Sequence, residues 1–312
     1  MKNKETNTTL LANLMLIVAA IIWGTGSIFQ KVASSHVGPM TFYGMRAALG
    51  SITLAILVLI SEKNKRNKEI KEGIINQPYG KEYFKKLLTT APICVLANIL
   101  GNVLVQTGIR YTTASKTGFL TSIYIIFVPI LSLIIFKKKV NPLVWIGTLV
   151  AVFGLYFLCI TDGFTIEKGD AIVLCCTIPL ALHIQLVSKY VQVFNPLHFT
   201  LTEFVTASII CLTFGLTLED TDWSAPGEII PGVLFCGILG IGICYALQSV
   251  AQKHTNPTVA ALLMSLESVF SAIAGIIFLN ESFTGREFLG VVLLCIAIVL
   301  AQIPVKNKNI KA

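Results

Sequence analysis

The chain has 312 residues, of which 54% are hydrophobic and only 13% are charged. Soluble domains usually carry about 25% charged residues, so this composition excludes an ordinary soluble domain and indicates a membrane protein. The formal net charge of +8 does not indicate nucleic-acid binding, because most of the basic residues lie in a few loops between apolar segments.

Apolar segments about 20 residues long predict ten membrane-spanning helices. The first follows Lys2 and Lys4, but it is too long for a signal peptide and lacks a small-residue cleavage site, so we expect it to be retained. Residues 61–85 form one long polar connection, which we interpret as an exposed loop, with or without a short amphipathic turn. The predicted helices cover residues 13–33, 40–60, 86–109, 113–136, 141–160, 169–190, 196–218, 228–252, 257–279 and 283–303.

Lysine and arginine are unevenly distributed between the two sides of these helices. Eighteen fall on the side that carries both chain ends, and three, Arg110, Lys168 and Arg286, fall on the other side. Because short cytoplasmic loops are enriched in these residues, both termini are predicted to be cytoplasmic. We therefore expect an all-α, multi-pass protein of the cell (plasma) membrane with ten transmembrane helices.

The sequence contains no signature of an enzyme. The eight cysteines lie within apolar segments and have neither the spacing of a metal site nor that of a disulfide framework, so we interpret them as small packing residues. There is no Walker loop, and no arrangement of Ser, His and Asp points to a hydrolase. No cofactor, metal or enzymatic activity is therefore predicted.

The second half of the sequence repeats the helix pattern of the first. At an offset of 143 residues, identical residues recur as Thr112 and Thr255, Ser122 and Ser265, Phe127 and Phe270, and Gly147 and Gly290. Each unit has five spans, an odd number, so the second unit enters the membrane from the opposite side. We predict two inverted five-helix repeats, residues 1–160 and 161–312, an architecture that favours alternating access to a site near the midplane.

Short motifs recur at fixed places in this pattern. They are Trp23-Gly24 and Phe29 in the first helix, Ser265-Leu266 and Val269-Phe270 in the ninth, Asn280-Glu281 after it, and an early glycine, Gly147 or Gly290, in the fifth and tenth. In these motifs the chain resembles the EamA family of the drug/metabolite transporter superfamily, although Ser268 stands where the family often has proline. The resemblance implies a metabolite permease, often an exporter of amino acids or related compounds.

Glu267 is the leading candidate for a site residue, because it lies about ten residues into the ninth predicted helix, roughly 15 Å from either end. Intramembrane ionisable groups are costly and are functional by default. Glu267 is predicted to bind a proton or a substrate amine, or else to be a structural carboxylate held by hydroxyls or by Lys116. Lys116, in turn, either reaches the headgroups or faces a substrate carboxylate.

Uncharged polar residues form a second set of candidates for the wall of a cavity. A polar stripe facing lipid would be unfavourable, so these faces are predicted to point inward, although hydrogen bonds between helices are the alternative. We interpret two further charged residues, Arg46 and Glu203, either as structural or as reaching toward the headgroups. The set consists of Asn98, Asn102 and Gln106 on the third helix, Tyr245 and Gln248 on the eighth, His183 on the sixth and Trp23 on the first.

We predict a secondary transporter of small polar metabolites such as amino acids, working by alternating access and in the export direction that the resemblance implies. Its driving force is either proton antiport through Glu267 or facilitated diffusion of the substrate. Two other classes stay open at this point. One is a membrane protein that does not transport, such as a sensor or an integral enzyme, and the other is a channel.

Overall fold

The computed structural model describes residues 2–72, 79–138, 140–160, 167–279 and 284–303. Within these ranges all regular elements are helical, and ten segments are long and apolar enough to cross a membrane, as predicted. The elements are α1 (Lys2–Ala33), α2 (Pro39–Glu72), α3 (Lys81–Gly108), α4 (Ala114–Ser122), α5 (Tyr124–Ile134), α6 (Pro142–Cys159), α7 (Lys168–Tyr190), α8 (Pro196–Leu218), α9 (Pro226–Leu234), a π-helical segment (Phe235–Ile243), α10 (Cys244–Gln252), α11 (Pro257–Met264), α12 (Glu267–Leu279) and α13 (Gly285–Gln302).

Three spans are interrupted within their length. A turn at Ile123 divides the fourth into α4 and α5, and a turn at Ser265 and Leu266 divides the ninth into α11 and α12. The hydroxyl of Ser265 donates to a carbonyl oxygen one turn earlier at 2.8 Å, a local bond that competes with helical hydrogen bonding. The eighth span combines α9, the π-helical segment and α10. Glu267 is therefore the first residue of α12. The prediction that it lies about ten residues into a continuous helix is wrong.

The predicted loop at residues 61–85 is wrong over much of its length, because α2 continues to Glu72 and α3 begins at Lys81. Two ion pairs support the added turns of α2, with 4.0 Å between Lys65 and Glu69 and 3.8 Å between Lys68 and Glu72. Pairs with this i, i+4 spacing stabilise a helix by about 0.2–0.5 kcal/mol each. A charged composition is therefore compatible with a helix here, and it does not by itself predict a loop.

Three spans begin at an Asn-Pro pair, which explains why their starts were predictable. Asn141, Asn195 and Asn256 each accept a hydrogen bond from the backbone N–H two residues later, at 2.9 Å. The asparagine satisfies one of the free N–H groups of the first turn, and the following proline has no N–H to satisfy.

The spans pack in pairs: α6 lies along α13, α2 along α8, and α3 along α7, while α1 contacts the eighth and ninth spans. Glycine permits the closest approach between α6 and α13. A Cβ atom on Gly154 would lie 2.9 Å from the carbonyl oxygen of Gly290, and one on Gly290 would lie 2.6 Å from that of Gly154. Ten spans place the start of α1 and the end of α13 on one face, the terminal face, and we call the opposite face the distal face.

Candidate functional site

A cavity of about 160 Å³ lies between the first, second, third, fourth, sixth, eighth and ninth spans. Its walls carry a carboxylate, a guanidinium group and an imidazole, from Glu267, Arg46 and His183. The lining parts of α1 and α3 reach Gln30 and Ile109, close to the ends of these helices on the distal face. The cavity therefore extends from the middle of the bundle toward the distal face.

Toward the terminal face, direct contacts between the helices close the bundle. The amide nitrogen of Gln252 donates to the carbonyl oxygen of Ile184 at 3.4 Å, and the hydroxyls of Thr200 and Ser249 are 2.5 Å apart. The amide nitrogen of Gln185 donates to the carbonyl oxygen of Val128 at 2.7 Å. The cavity thus has a packed floor on its terminal side.

Glu267 reaches the cavity from the turn that separates α11 and α12. As the first residue of α12, it lies at the positive end of that helix dipole, which favours a carboxylate. Within the described ranges, no side chain or backbone group forms a hydrogen bond or an ion pair with its carboxylate. An acidic group therefore lines the cavity without a protein partner.

Arg46 reaches the same cavity from the first turns of α2 and is only 5% exposed. Its Nη2 atom donates to Oδ1 of Asn102 at 3.1 Å, and its guanidinium carbon lies 5.4 and 5.1 Å from the ring centroids of Phe42 and Tyr43. Among the residues that the structure describes, no carboxylate forms an ion pair with it. The cavity thus contains a cation and an anion that are each available to a ligand.

A continuous chain of hydrogen bonds leads from Arg46 to a second buried carboxylate. Asn102 accepts from Arg46 and donates through Nδ2 to Oδ1 of Asn98 at 2.6 Å. Asn98 donates through its own Nδ2 to Oε1 of Glu203 at 2.6 Å, and Nε2 of His183 lies 2.6 Å from the same oxygen. Glu203 is 1% exposed, so its charge is compensated within the protein and not by water.

Trp23 and Tyr245 form an aromatic part of the cavity wall, between the first and eighth spans. The ring of Tyr245 lies 5.2 Å from Trp23 and 4.5 Å from Phe204, both in edge-on geometry. Nε1 of Trp23 donates at 2.8 Å to the carbonyl oxygen of Gly240, which lies in the π-helical segment. Segments of π-helix occur frequently at functional sites, and here an indole satisfies one of the carbonyls.

Cys94, His183 and Glu203 are the one group in the described ranges whose atoms lie close enough to suggest a metal site, within 4.8 Å of one another. Two ligands bound to one zinc ion at about 2.0 Å, at tetrahedral angles, stand about 3.3 Å apart. The 2.6 Å between Nε2 of His183 and Oε1 of Glu203 is a hydrogen-bond distance and is too short for two such ligands. We therefore interpret this group as a hydrogen-bonded cluster.

Polar contacts also fasten the loops of the distal face. His36 lies 2.9 Å from Oε2 of Glu228 through Nε2 and 3.6 Å from Oδ2 of Asp222 through Nδ1. The hydrogen bond to Glu228 is the main reason that the pKa of His36 is raised above its ordinary value. Hydrogen bonds from Ser224 are the main reason that the pKa of Asp222 is lowered. These residues connect the loop after α1 to the loop before α9.

Comparison of the sequence with known proteins identifies the family to which the chain belongs. A model of the EamA-like transporter family matches residues 10–160 and 167–302, which is most of the sequence. The chain belongs to the EamA-like transporter family. An uncharacterized transporter from Archaeoglobus fulgidus is 26% identical over 296 residues, covering 95% of this chain and 87% of the relative. The uncharacterized transporter YwfM from Bacillus subtilis is 24% identical, covering 96% of this chain and 97% of its own length.

The fold of this EamA-like transporter also occurs among solved structures. One crystal structure with 13% sequence identity aligns with a TM-score of 0.71 over 93% of this chain and 96% of the other chain. The family match and the ten apolar helices make the protein a multi-pass membrane transporter, which in bacteria and archaea lies in the plasma membrane.

The structure brings most of the sequence-predicted residues of this EamA-like transporter to the cavity wall. Glu267, His183, Asn102, Tyr245, Gln248 and Trp23 all line it. Asn98 and Gln106, predicted to share the stripe of Asn102, are completely buried behind the wall. Gln106 donates to the carbonyl oxygen of Gln30 at 3.3 Å, so it contacts α1 instead of the cavity.

Lys116 has a different environment from either of the two predicted for it. Its Nζ atom lies 3.6 Å from Oδ2 of Asp170 and 3.7 Å from Oε1 of Glu167, at the start of α7. Asp170 is fully buried and also accepts a hydrogen bond from Thr112 at 2.5 Å. Lys116 therefore ties α4 to α7 on the distal face, and the ion pairs that it forms do not include Glu267.

Arg46 is a charged cavity residue that sequence reasoning missed, since it was interpreted either as structural or as reaching toward the headgroups. A signal was available, because a basic residue inside a predicted span is functional by default. The same rule applied to Glu203, whose contact with His183 links it to the cavity wall. The structure joins Arg46 and Glu203 through Asn102 and Asn98.

Proposed function

We propose that this EamA-like transporter carries small zwitterionic metabolites, amino acids among them, across the membrane by alternating access. The observation that carries the proposal is that Arg46 and Glu267 line one cavity and, within the described residues, form no ion pair with each other or with another side chain. A ligand with both a carboxylate and an ammonium group would satisfy both charges at once.

The chemistry of the two side chains suggests how such a ligand is oriented. The planar guanidinium of Arg46 matches the geometry of a carboxylate, whereas the carboxylate of Glu267 suits an ammonium group. A hydrogen bond to a charged group contributes about 1.5–3 kcal/mol, and an unpaired buried charge is strongly unfavourable. We therefore assign the carboxylate end of the substrate to Arg46 and the amine end to Glu267.

The size of the cavity supports a small substrate. Sites for drug-sized ligands usually enclose about 300–1,000 Å³. The cavity here encloses about 160 Å³, which favours a metabolite with few heavy atoms over a large hydrophobic drug. The edge-on aromatic wall of Trp23 and Tyr245 would accommodate the hydrocarbon part of such a molecule.

Corresponding positions of the two halves support the inverted repeats that alternating access requires. The turns at Ile123 and Leu266 are 143 residues apart, which is the offset of the sequence repeat. Asn102 and Tyr245 correspond at the same offset, and Nδ2 of Asn102 lies 3.4 Å from the hydroxyl of Tyr245. Contacts between equivalent positions are expected near a pseudo-two-fold axis between the halves.

In this proposal the cavity alternates between the two faces. The contacts of Gln252 and Thr200 on the terminal side separate, while the distal ends of the spans approach one another. Export is the direction that the family resemblance implies. A carrier of this kind is reversible, so the gradients across the membrane determine the net direction of transport.

Counterflow in proteoliposomes tests the proposal. Vesicles containing the purified protein are loaded with unlabelled glycine, alanine, serine or threonine, and the same labelled compound is added outside. A carrier is expected to accumulate label transiently and to saturate, because exchange requires a substrate-bound intermediate. A channel would equilibrate the label without this transient, and a sensor or enzyme would not move it, so either outcome contradicts the proposal.

Analogues of one substrate test the two charges separately. Alaninamide lacks the carboxylate charge and propionate lacks the ammonium group, so each is expected to compete about 10- to 150-fold more weakly than alanine, as 1.5–3 kcal/mol predicts. Arg46→Gln is expected to remove the discrimination against alaninamide, and Glu267→Gln that against propionate. Equal competition by all three compounds in the unmodified protein would contradict a zwitterionic substrate.

A further inference from the structure

An acid–base pair lies directly behind the cavity wall that carries Arg46. Nε2 of His183 is 2.6 Å from Oε1 of Glu203, and the two side chains are only 3% and 1% exposed. The imidazole of His183 is part of the lining, whereas Glu203 lies beyond it, on α8. The histidine therefore separates a buried carboxylate from the space that a substrate enters.

The hydrogen bonds around this pair have one consistent direction. Oδ1 of Asn98 accepts from the hydroxyl of Tyr43 at 3.0 Å and from Nδ2 of Asn102 at 2.6 Å. Its amide nitrogen must then face Glu203, because the reverse orientation would place two oxygens 2.6 Å apart. Oε1 of Glu203 thus accepts from Asn98. With Glu203 ionised, the same oxygen also accepts from His183, and the proton between the pair lies on Nε2 of His183.

This direction leaves Nδ1 of His183 as the atom that can take up a proton. A neutral imidazole with its hydrogen on Nε2 has a lone pair on Nδ1. Within the described ranges, Nδ1 has no hydrogen-bond partner. A proton bound at Nδ1 would give an imidazolium whose other nitrogen, Nε2, donates a charge-assisted hydrogen bond to the Glu203 carboxylate.

We propose that His183 and Glu203 form the site of a coupling proton, which binds at Nδ1 of His183 and accompanies the substrate. The inference rests on the proposed carrier function. It assigns the proton to this pair and leaves Glu267, where proton antiport was predicted, to hold the amine of the substrate.

The charges that face His183 determine the sign of the coupling. Glu203 and Arg46 carry opposite charges at the two ends of the hydrogen-bond chain, and the neutral Cys94 thiol and Tyr245 hydroxyl complete the near surroundings. Tyr43 joins the chain at Asn98, and Tyr124 and Glu267 line other parts of the cavity. A proton on His183 therefore adds one positive charge to the wall that holds the substrate carboxylate.

Co-binding of proton and substrate follows from this arrangement, because the added positive charge attracts the carboxylate. A proton on Glu267 would have the opposite effect, since it would remove the negative charge that attracts the substrate amine. The pair His183–Glu203 thus predicts cotransport of proton and substrate, whereas Glu267 as the proton site predicts exchange. Under cotransport, net export occurs when the outward substrate gradient exceeds the inward proton gradient.

The test compares gradient-driven accumulation with counterflow, using whichever of glycine, alanine, serine and threonine gives the strongest counterflow. With one proton per substrate, a difference of one pH unit, acid outside, is expected to drive up to tenfold accumulation by the unmodified protein. His183→Gln keeps a hydrogen-bond donor toward Glu203 but has no ring nitrogen that can bind a proton. It is expected to lose the accumulation much more completely than it loses counterflow, so the ratio of accumulation to counterflow falls. His198→Gln is the matched control, because His198 lies outside the cavity, beside Tyr83 and Glu62.

The outcomes separate this inference from the proposed function. Absence of counterflow in the unmodified protein contradicts the carrier itself. If the unmodified protein shows counterflow and acid-driven accumulation, and the accumulation survives in His183→Gln, the proton site is contradicted. If an acidic exterior drives the substrate out of the vesicles, proton and substrate are exchanged, and the predicted cotransport is contradicted.

A second measurement does not depend on the activity of a variant. In a protein in which His36, His198 and His254 are replaced by Gln, His183 is the remaining histidine, and its ¹⁵N-labelled imidazole reports the proton on Nδ1 by NMR. Addition of the same substrate at constant pH is expected to increase the protonated fraction. An unchanged or reduced fraction overturns the inference.

Discussion

The carbonyl oxygen of Glu267 packs directly against the α-carbon of Gly24, so the turn that carries the cavity carboxylate rests on the backbone of α1. A Cβ atom on Gly24 would overlap that oxygen and would also lie 2.8 Å from the backbone nitrogen of Ser271 and 2.9 Å from Cβ of Phe270. None of these atoms is the mobile end of a side chain. The close approach of α1 and α12 therefore requires glycine at this position.

Gly24→Ala is expected to destabilise the protein by about 1–3 kcal/mol, the usual effect of overpacking a close contact. Thermal unfolding in detergent, followed with a thiol-reactive dye, measures it, because the eight cysteines are free and six of them are buried. Gly26→Ala is the matched control for stability, since its Cβ would meet the Phe235 ring at 3.4 Å, an ordinary contact. Equal midpoints for both variants would contradict the packing argument.

Glu267→Gln is expected to reduce alanine counterflow at least tenfold, because an amide cannot supply the negative charge that attracts an ammonium group. The variant keeps the size of the side chain and removes no protein hydrogen bond described above, so its thermal midpoint should stay close to that of the unmodified protein. Glu72→Gln, at the exposed end of α2, provides the same chemical change far from the cavity. Full counterflow by Glu267→Gln at normal protein levels would remove Glu267 from the site.

Asp170 is expected to matter more for stability than its partner Lys116. Asp170 is fully buried and accepts hydrogen bonds from Thr112 and from the backbone of Glu167, at 2.5 and 3.0 Å. Asp170→Ala removes all of these, and we expect a loss of about 2–4 kcal/mol. Lys116→Met removes a partly exposed ion pair and should cost about 1 kcal/mol or less. If Lys116→Met instead abolishes counterflow at normal stability, the predicted role of Lys116 in substrate binding is supported and this stability argument is contradicted.

The contact of His36 with Glu228 and Asp222 predicts a pH-dependent contribution to stability. Because the pKa of His36 is raised in the folded protein, its contribution is complete below the ordinary value of 6.5 and is lost as the pH rises through the raised pKa. Because the pKa of Asp222 is lowered, its contribution is present above 3.8 and is lost as the pH falls through the lowered pKa.

The measurement is the difference in thermal midpoint between the unmodified protein and His36→Gln across this range. The difference is expected to be largest from about pH 5 to 6.5 and to shrink at more alkaline pH. His254→Gln is the control, because this exposed histidine has no carboxylate partner in the described part of the chain. A difference that grows with pH above 6.5 would contradict the assigned direction.

Much of the fold could be predicted from local patterns. The ten spans follow from apolar length, and the Asn-Pro pairs at Asn141, Asn195 and Asn256 explain three helix starts. Glu267 was predicted to be a site residue because a carboxylate in an apolar span is costly unless it is satisfied or used. The structure places it in the cavity lining. The length of α2 was not predictable in the same way, since ion pairs between neighbouring turns, and not hydropathy, extend it to Glu72.

The stripe on α3 shows why spacing alone did not define the cavity. Residues four apart are offset by about 40° around a helix, so Asn98 and Gln106 differ by about 80° in direction. The structure directs Asn98 toward α2 and α8, where it contacts Tyr43 and Glu203, and Gln106 toward α1. Asn102, between them, reaches the cavity. Which of three equally polar residues meets a ligand depends on the helices that pack against each one.

The sequence by itself determined that this is an all-α membrane protein of ten spans, and its motifs indicated the family, because apolar length and short-range motifs are local properties of the chain. Only the tertiary structure decided that Arg46 shares a cavity with Glu267, that Lys116 pairs with Asp170, and that Glu203 lies behind His183. These relationships join residues from different spans. They arise from how the helices pack, and local patterns in a single sequence do not predict which residues of different helices come into contact.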